Sequence, residues 1–149
     1  MNYSTKLLDA LALVKQEYFL IKTTYNEVGI VRERVFCYEL YHQLRKQLGD
    51  ELGVVLHGEI DKRGHPDYPK SLQYNSQRNP DLIIHKPGRH DYNSLVCEVK
   101  GLIKPTGICK DFETLLDFVT FRDYRKGVFL LYNCSLEQFT NKMIPYISN

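Results

Sequence analysis

Apolar residues recur at helical spacing near the start of the chain, at Leu7, Leu8, Leu11, Val14 and Tyr18, behind Ser4 or Thr5 as caps. A second amphipathic stretch follows Gly29, within IVRERVFCYELYHQLRKQLG, its stripe being Phe36, Cys37, Leu40, Tyr41, Leu44 and Leu48, with Gly49 as its stop. The period then changes. VVLHGEI (54–60), PDLIIHK (80–86) and SLVCEVKG (94–101) are short β-branched or apolar runs bounded by turn residues, which is strand chemistry. Asp111 can cap a helix over 112–125, GVFLLYN (127–133) has the run of a buried strand, and SLEQFTNKMIPYI closes as a helix.

The predicted order is helix, helix, three strands, helix, strand, helix. Three successive strands can run as a meander, and the helix over 112–125 is a crossover that lets the last strand pair parallel to an earlier one. The expected fold class is α/β, a mixed four-stranded sheet flanked by helices. At 149 residues the chain reads as a single domain, 1–149, large enough to form a core without staples.

Between the first two strands, DKRGHPDYPKSLQYNSQRN (61–79) is a long connection of the kind that carries function or disorder. It also changes the charge picture. The formal net charge is +2, and segments 1–56 and 91–149 are each balanced, so the surplus falls within 57–90. That segment holds Lys62, Arg63, Lys70, Arg78, Lys86 and Arg89, four of the five histidines, and Tyr68 and Tyr74. Cations interleaved with aromatic rings suit phosphate and base contacts, although a solvated loop would have the same composition.

Composition excludes several classes. Apolar residues at 43% and charged residues at 26% rule out a wholly disordered chain. No apolar run could span a bilayer, and Asp9 and Lys15 interrupt the N-terminal apolar stretch, so a cytoplasmic protein is expected. Cysteines 37, 97, 109 and 134 form no CxxC pair and read as core or incidental thiols, not zinc ligands. A phosphate-binding Gly-rich loop, a GxSxG turn and an HExxH helix are all missing.

The chemistry concentrates elsewhere. Of the 18 acids, only Glu98 is followed two places later by lysine, Lys100. Alternate strand residues share a face, so Glu98 and Lys100 project together, away from Cys97 and Val99. Asp81 opens the preceding strand after Pro80, a position that tolerates proline. An antiparallel pairing of 80–86 with 94–101 brings Asp81 and Glu98–Lys100 to one end of the sheet. Two hard carboxylates there suit Mg²⁺ or Mn²⁺ with open positions.

Pro80–Asp81, a 16-residue spacer, and Glu98–Val99–Lys100 resemble the PD-(D/E)XK nuclease superfamily. The element order over roughly 30–133 is similar to that superfamily's restriction-endonuclease-like core. The resemblance implies a metal-dependent nuclease acting on nucleic acid, DNA favoured over RNA, with Mg²⁺ or Mn²⁺ held by Asp81 and Glu98. Lys100 would orient the attacking water. Pro66–Asp67, followed by Tyr-Pro, repeats the dipeptide in a loop and reads as a decoy.

The superfamily often adds a glutamate from the helix before the first strand. Glu33 shares a face with the apolar stripe whereas Glu39 falls on a polar one, so Glu33 is preferred. A helix-start acid favoured by the dipole is the alternative. Glu59, on the first strand's face with His57 and Asp61, fits a place behind the ligands or at a second metal, or plain solvation. His57 and His85 read as core or surface histidines. Lys62, Arg63, Lys70, Arg78 and Lys86 are the expected nucleic-acid contacts. Lys104 and Lys110–Asp111 lie near, but off, the helix position where relatives show a further Lys or Gln. A homodimer would suit cutting two strands. The competing readings are a non-cleaving nucleic-acid-binding module and an interaction domain of a defence or mobile-element system.

Overall fold

A computed structural model describes residues 2–50, 53–59 and 78–147, with the side chains of Asn26 and His90 excepted. Helix α1 spans Tyr3–Ala12, and a 3₁₀ turn, Gln16–Tyr18, leads into a hairpin of β1, Leu20–Thr23, and β2, Asn26–Val31. Helix α2 (Glu33–Leu48) precedes β3 (Val55–Gly58), β4 (Leu82–His85) and β5 (Leu95–Lys100). Helix α3 (Pro105–Phe121), strand β6 (Gly127–Leu131) and helix α4 (Leu136–Ile147) complete the described elements.

The four-stranded sheet has the order β3-β4-β5-β6, antiparallel across its first three strands and parallel between β5 and β6. The chain is therefore α/β with a mixed sheet, the meander and crossover expected from sequence. Its strands alternate cleanly. Leu56, Leu82, Ile84, Leu95, Cys97, Val99 and Leu130 pack with α1 and α2, while Ile83 and Val96 pack with Leu115 and Phe118 of α3. In α2 every fourth residue from Phe36 to Leu48 is buried, each side chain worth roughly 1.5–3 kcal/mol relative to exposure. Gly49, at φ +61°, ends that helix where a side chain would be strained.

Several boundaries differ from expectation. Asn2, rather than Ser4 or Thr5, caps α1, its side-chain oxygen accepting from the Ser4 N–H at 3.2 Å. Tyr18 falls in the 3₁₀ turn outside α1. The strand read over 54–60 is Val55–Gly58 only, so Glu59 lies just past it with φ +47°. Asp111 does not begin a helix. Pro105 stands at its first turn, where a missing N–H costs nothing, and Asp111 sits inside α3, buried. The hairpin is an addition. It turns through Thr24–Tyr25, and the chain returns to hydrogen-bond Arg32 N–H to Phe19 O at 2.8 Å.

Closing the hairpin also anchors the start of α2. Phe19, Phe36 and Tyr132 form one ring cluster, with Phe36 stacked on Tyr132 at 3.7 Å and Phe19 edge-on to both. This fixes the first turn of α2 against the end of β6, and so sets where Glu33 can reach. Helix α4 is closed by a reciprocal cap. Ser135 Oγ accepts from Gln138 N–H at 3.1 Å while Gln138 Oε1 accepts from Ser135 N–H at 2.8 Å.

Candidate active site

The β4–β5 register pairs Leu82 with Cys97; carried one residue further, it puts Asp81 opposite Glu98. Asp81 is held there by its own side chain. Its Oδ2 accepts the Val99 N–H at 2.7 Å, replacing the backbone acceptor that β4 no longer supplies. The Asp81 and Glu98 carboxyls, opposite each other in the register, resist ionising together.

Glu98 is 6% exposed, and burial, then the neighbouring Asp81 and Asp111, pushes its pKa up to about 9. Burial raises Asp81 as well, against the Val99 N–H, which favours its charged form. Two carboxyls that resist ionising together form a place short of positive charge, which a hard divalent cation would supply. Among the described residues no three His, Cys, Asp or Glu side chains are grouped closely enough to hold a metal ion. Asp81 and Glu98 present two oxygen donors, which suits an ion that keeps several waters.

Lys100 leaves the same end of β5. Its Nζ lies 3.1 Å from Asp111 Oδ2 on α3 and 3.4 Å from Glu33 Oε1 on α2. The ammonium is thus shared by acids from both layers rather than paired with Glu98. Burial pulls its pKa down, but Asp111 and Glu33 outweigh that, and the net direction is up. Asp111 is itself shifted upward by burial, with Lys100 opposing. Glu33 Oε2 in addition accepts the Gly101 N–H at 3.1 Å. A side chain at 101 would collide with the Tyr132 hydroxyl and with Val31, so glycine is what lets that backbone come within reach of Glu33.

The structure therefore brings together Asp81, Glu98, Lys100 and Glu33, all expected from sequence, and adds Asp111. A signal for Asp111 exists in the sequence. Ile108, Asp111, Leu115 and Phe118 recur at helical spacing, so a carboxylate sits on the buried stripe of α3, as Glu33 does on that of α2. Glu59 stands aside, exposed and 3.6 Å from Arg34. Arg78 is engaged by Glu113 of α3 at 2.9 Å. Lys86 lies at the opposite end of β4 from Asp81, over the Tyr92 ring at 4.4 Å. Lys62, Arg63 and Lys70, with Asp61, His65, Pro66–Asp67, Tyr68 and Tyr74, lie outside the described residues. His57 and His85 meet each other, His57 Nδ1 to His85 Nε2 at 2.9 Å.

Four exposed cations that the charge pattern does not single out lie on or at the start of the two helices that carry Glu33 and Asp111. Arg32 and Arg34 flank Glu33, Lys104 caps α3, and Lys110 precedes Asp111. The four cysteines are free, with Cys97 buried and the others partly so. Among the described residues no helix is long and apolar enough to cross a membrane. Comparison with known proteins returns no matching family model, no matching curated protein and no matching solved structure.

Proposed function

We propose that this protein is a metal-dependent nuclease on a restriction-endonuclease-like core, hydrolysing phosphodiester bonds of nucleic acid, DNA before RNA. The observation that carries the reading is Asp81 set opposite Glu98 by the β4–β5 register, beside a lysine held by acids from two helices. Asp81 and Glu98 would hold Mg²⁺ or Mn²⁺, which when bound polarises a phosphoryl oxygen and acidifies a coordinated water.

This chain's own residues do the rest. The Val99 N–H fixes Asp81, so one carboxylate oxygen stays oriented without a reorganisation cost. Glu33 and Asp111 hold the Lys100 ammonium at the sheet end, where it donates to the attacking water and to charge growing on the phosphorane. Arg32, Lys104 and Lys110, exposed on or at the start of the helices that carry Glu33 and Asp111, would add cationic contacts to backbone phosphates.

The test is cleavage of single-stranded, duplex and branched DNA and of RNA in Mg²⁺ or Mn²⁺, with EDTA as control. Cleavage by the wild type that is lost in EDTA, in Asp81→Ala and in Lys100→Ala is the expected result. Nucleic-acid binding that is salt-dependent, metal-independent and indifferent to Asp81→Ala would replace this reading with the non-cleaving module.

A further inference from the structure

A cavity of about 400 Å³ opens between the first turns of α2 and the outer strand β3, and Asp81 is part of its wall. Its other described lining includes Tyr38, Tyr41, His57 and Glu59. An occupant of this space would therefore touch a residue of the carboxylate pair.

The lining constrains what that occupant is. Tyr38 is 66% exposed, a large ring presented to solvent. Tyr41 is fixed by its hydroxyl, which donates to Leu56 O at 3.0 Å, so its ring stands as a rigid wall. His57, also in the wall, is held through Nδ1 by His85 Nε2 at 2.9 Å. The described wall also carries the carboxyl groups of Glu59, with Arg34 at 3.6 Å, and of Asp81, whose oxygens can accept hydrogen bonds from an uncharged partner. The volume lies within the range of small-ligand pockets. A flat, uncharged heterocycle with N–H donors fits these terms, and Tyr38 offers a ring on which it can stack.

Resting on the nuclease reading, we infer that this cavity takes one unpaired nucleobase adjoining the phosphate addressed by Asp81. The substrate is then DNA with an unpaired nucleotide at the cleavage point, a single strand or the strand end of a flap or fork, rather than continuous duplex. A paired base cannot enter without leaving its stack.

The test is binding, separated from turnover by using Ca²⁺ in place of Mg²⁺. A short oligothymidylate carrying one 2-aminopurine is titrated with the wild-type protein, Tyr38→Ala and Tyr38→Phe, alone and annealed to its complement. Quenching on binding is expected with the single strand. Affinity should fall about tenfold in Tyr38→Ala, stay near wild type in Tyr38→Phe, and be weaker for the duplex. Equal affinity in Tyr38→Ala, equal or tighter binding of the duplex, or no binding of the single strand overturns the pocket. Cleavage in Mg²⁺ that persists alongside any of these leaves the nuclease standing. Tyr38-dependent binding with no cleavage of any substrate overturns the nuclease and keeps the pocket.

Discussion

The two ends of the sheet carry similar numbers of charged groups and treat them in opposite ways. At the end where β5 begins, charge is matched locally. Arg89 meets Asp91 at 2.9 Å, Arg122 meets Asp117 at 3.0 Å, Lys86 lies over Tyr92, and Asn93 donates to Arg122 O at 2.7 Å. Asp91 is consequently held below the usual carboxylate range by the Arg89 hydrogen bond. At the end where β5 finishes, Glu33 and Asp111 hold the one ammonium while Asp81 and Glu98 stand opposite each other in the register, and Asp81, Glu98 and Asp111 are all shifted upward. A fold seeking stability alone would arrange both ends like the first. An excess of half-buried negative charge raises the free energy of the metal-free native state, and a bound cation removes the penalty.

The largest contrast should appear in activity. Lys100→Ala is expected to lower cleavage by about 10²–10³-fold, the scale of losing one preorganised donor, measured under single-turnover conditions. Asp111→Asn keeps the volume but weakens the hold on Lys100. A loss of about tenfold is expected, with circular dichroism unchanged, and a full wild-type rate would remove Asp111 from the site.

Stability should separate the ends next. Mg²⁺ at a hundredfold its dissociation constant adds about 2.7 kcal/mol, a rise of several degrees in melting temperature by calorimetry. Glu98→Gln should abolish that rise while being itself more stable than the metal-free wild type. The pH dependence has a definite sign. Glu98 moves from 4.5 to about 9 on folding and Asp81 moves upward from 3.8, so the native chain retains protons that the unfolded chain has lost. The share of metal-free stability that these two carboxyls contribute is whole below about pH 4 and is lost as pH rises toward 9. Glu98→Gln flattens that slope. The smallest effect belongs to the far end. Lys86→Ala should change cleavage by less than about twofold, since its partner is a surface ring. A large loss there would extend the nucleic-acid track along the whole sheet.

The same contrast explains what the sequence disclosed. Strands β4 and β5 are legible as short apolar runs buried on both faces and helix α2 by its single apolar stripe, and an isolated Glu-x-Lys stands out against such runs. The β1–β2 hairpin is not. Tyr25 is 99% exposed and Val28 83%, so no buried alternation marks these strands, and Thr24–Tyr25 is not a recognisable turn pair. Asp111 reads as a cap because aspartate before an apolar run is a strong local signal; Pro105, six residues earlier, is the better start. Its function depends on a contact with Lys100 across two elements, which no local pattern encodes.

A cation shared by Asp81 and Glu98 is tested most directly by titrating the metal-free protein with Mn²⁺ and following free Mn²⁺ by electron paramagnetic resonance. The wild type and Lys86→Ala should bind alike, with affinity falling at least tenfold in both Asp81→Asn and Glu98→Gln. Mn²⁺ binding of wild-type strength in both carboxylate variants, or none in the wild type, would contradict a shared cation site.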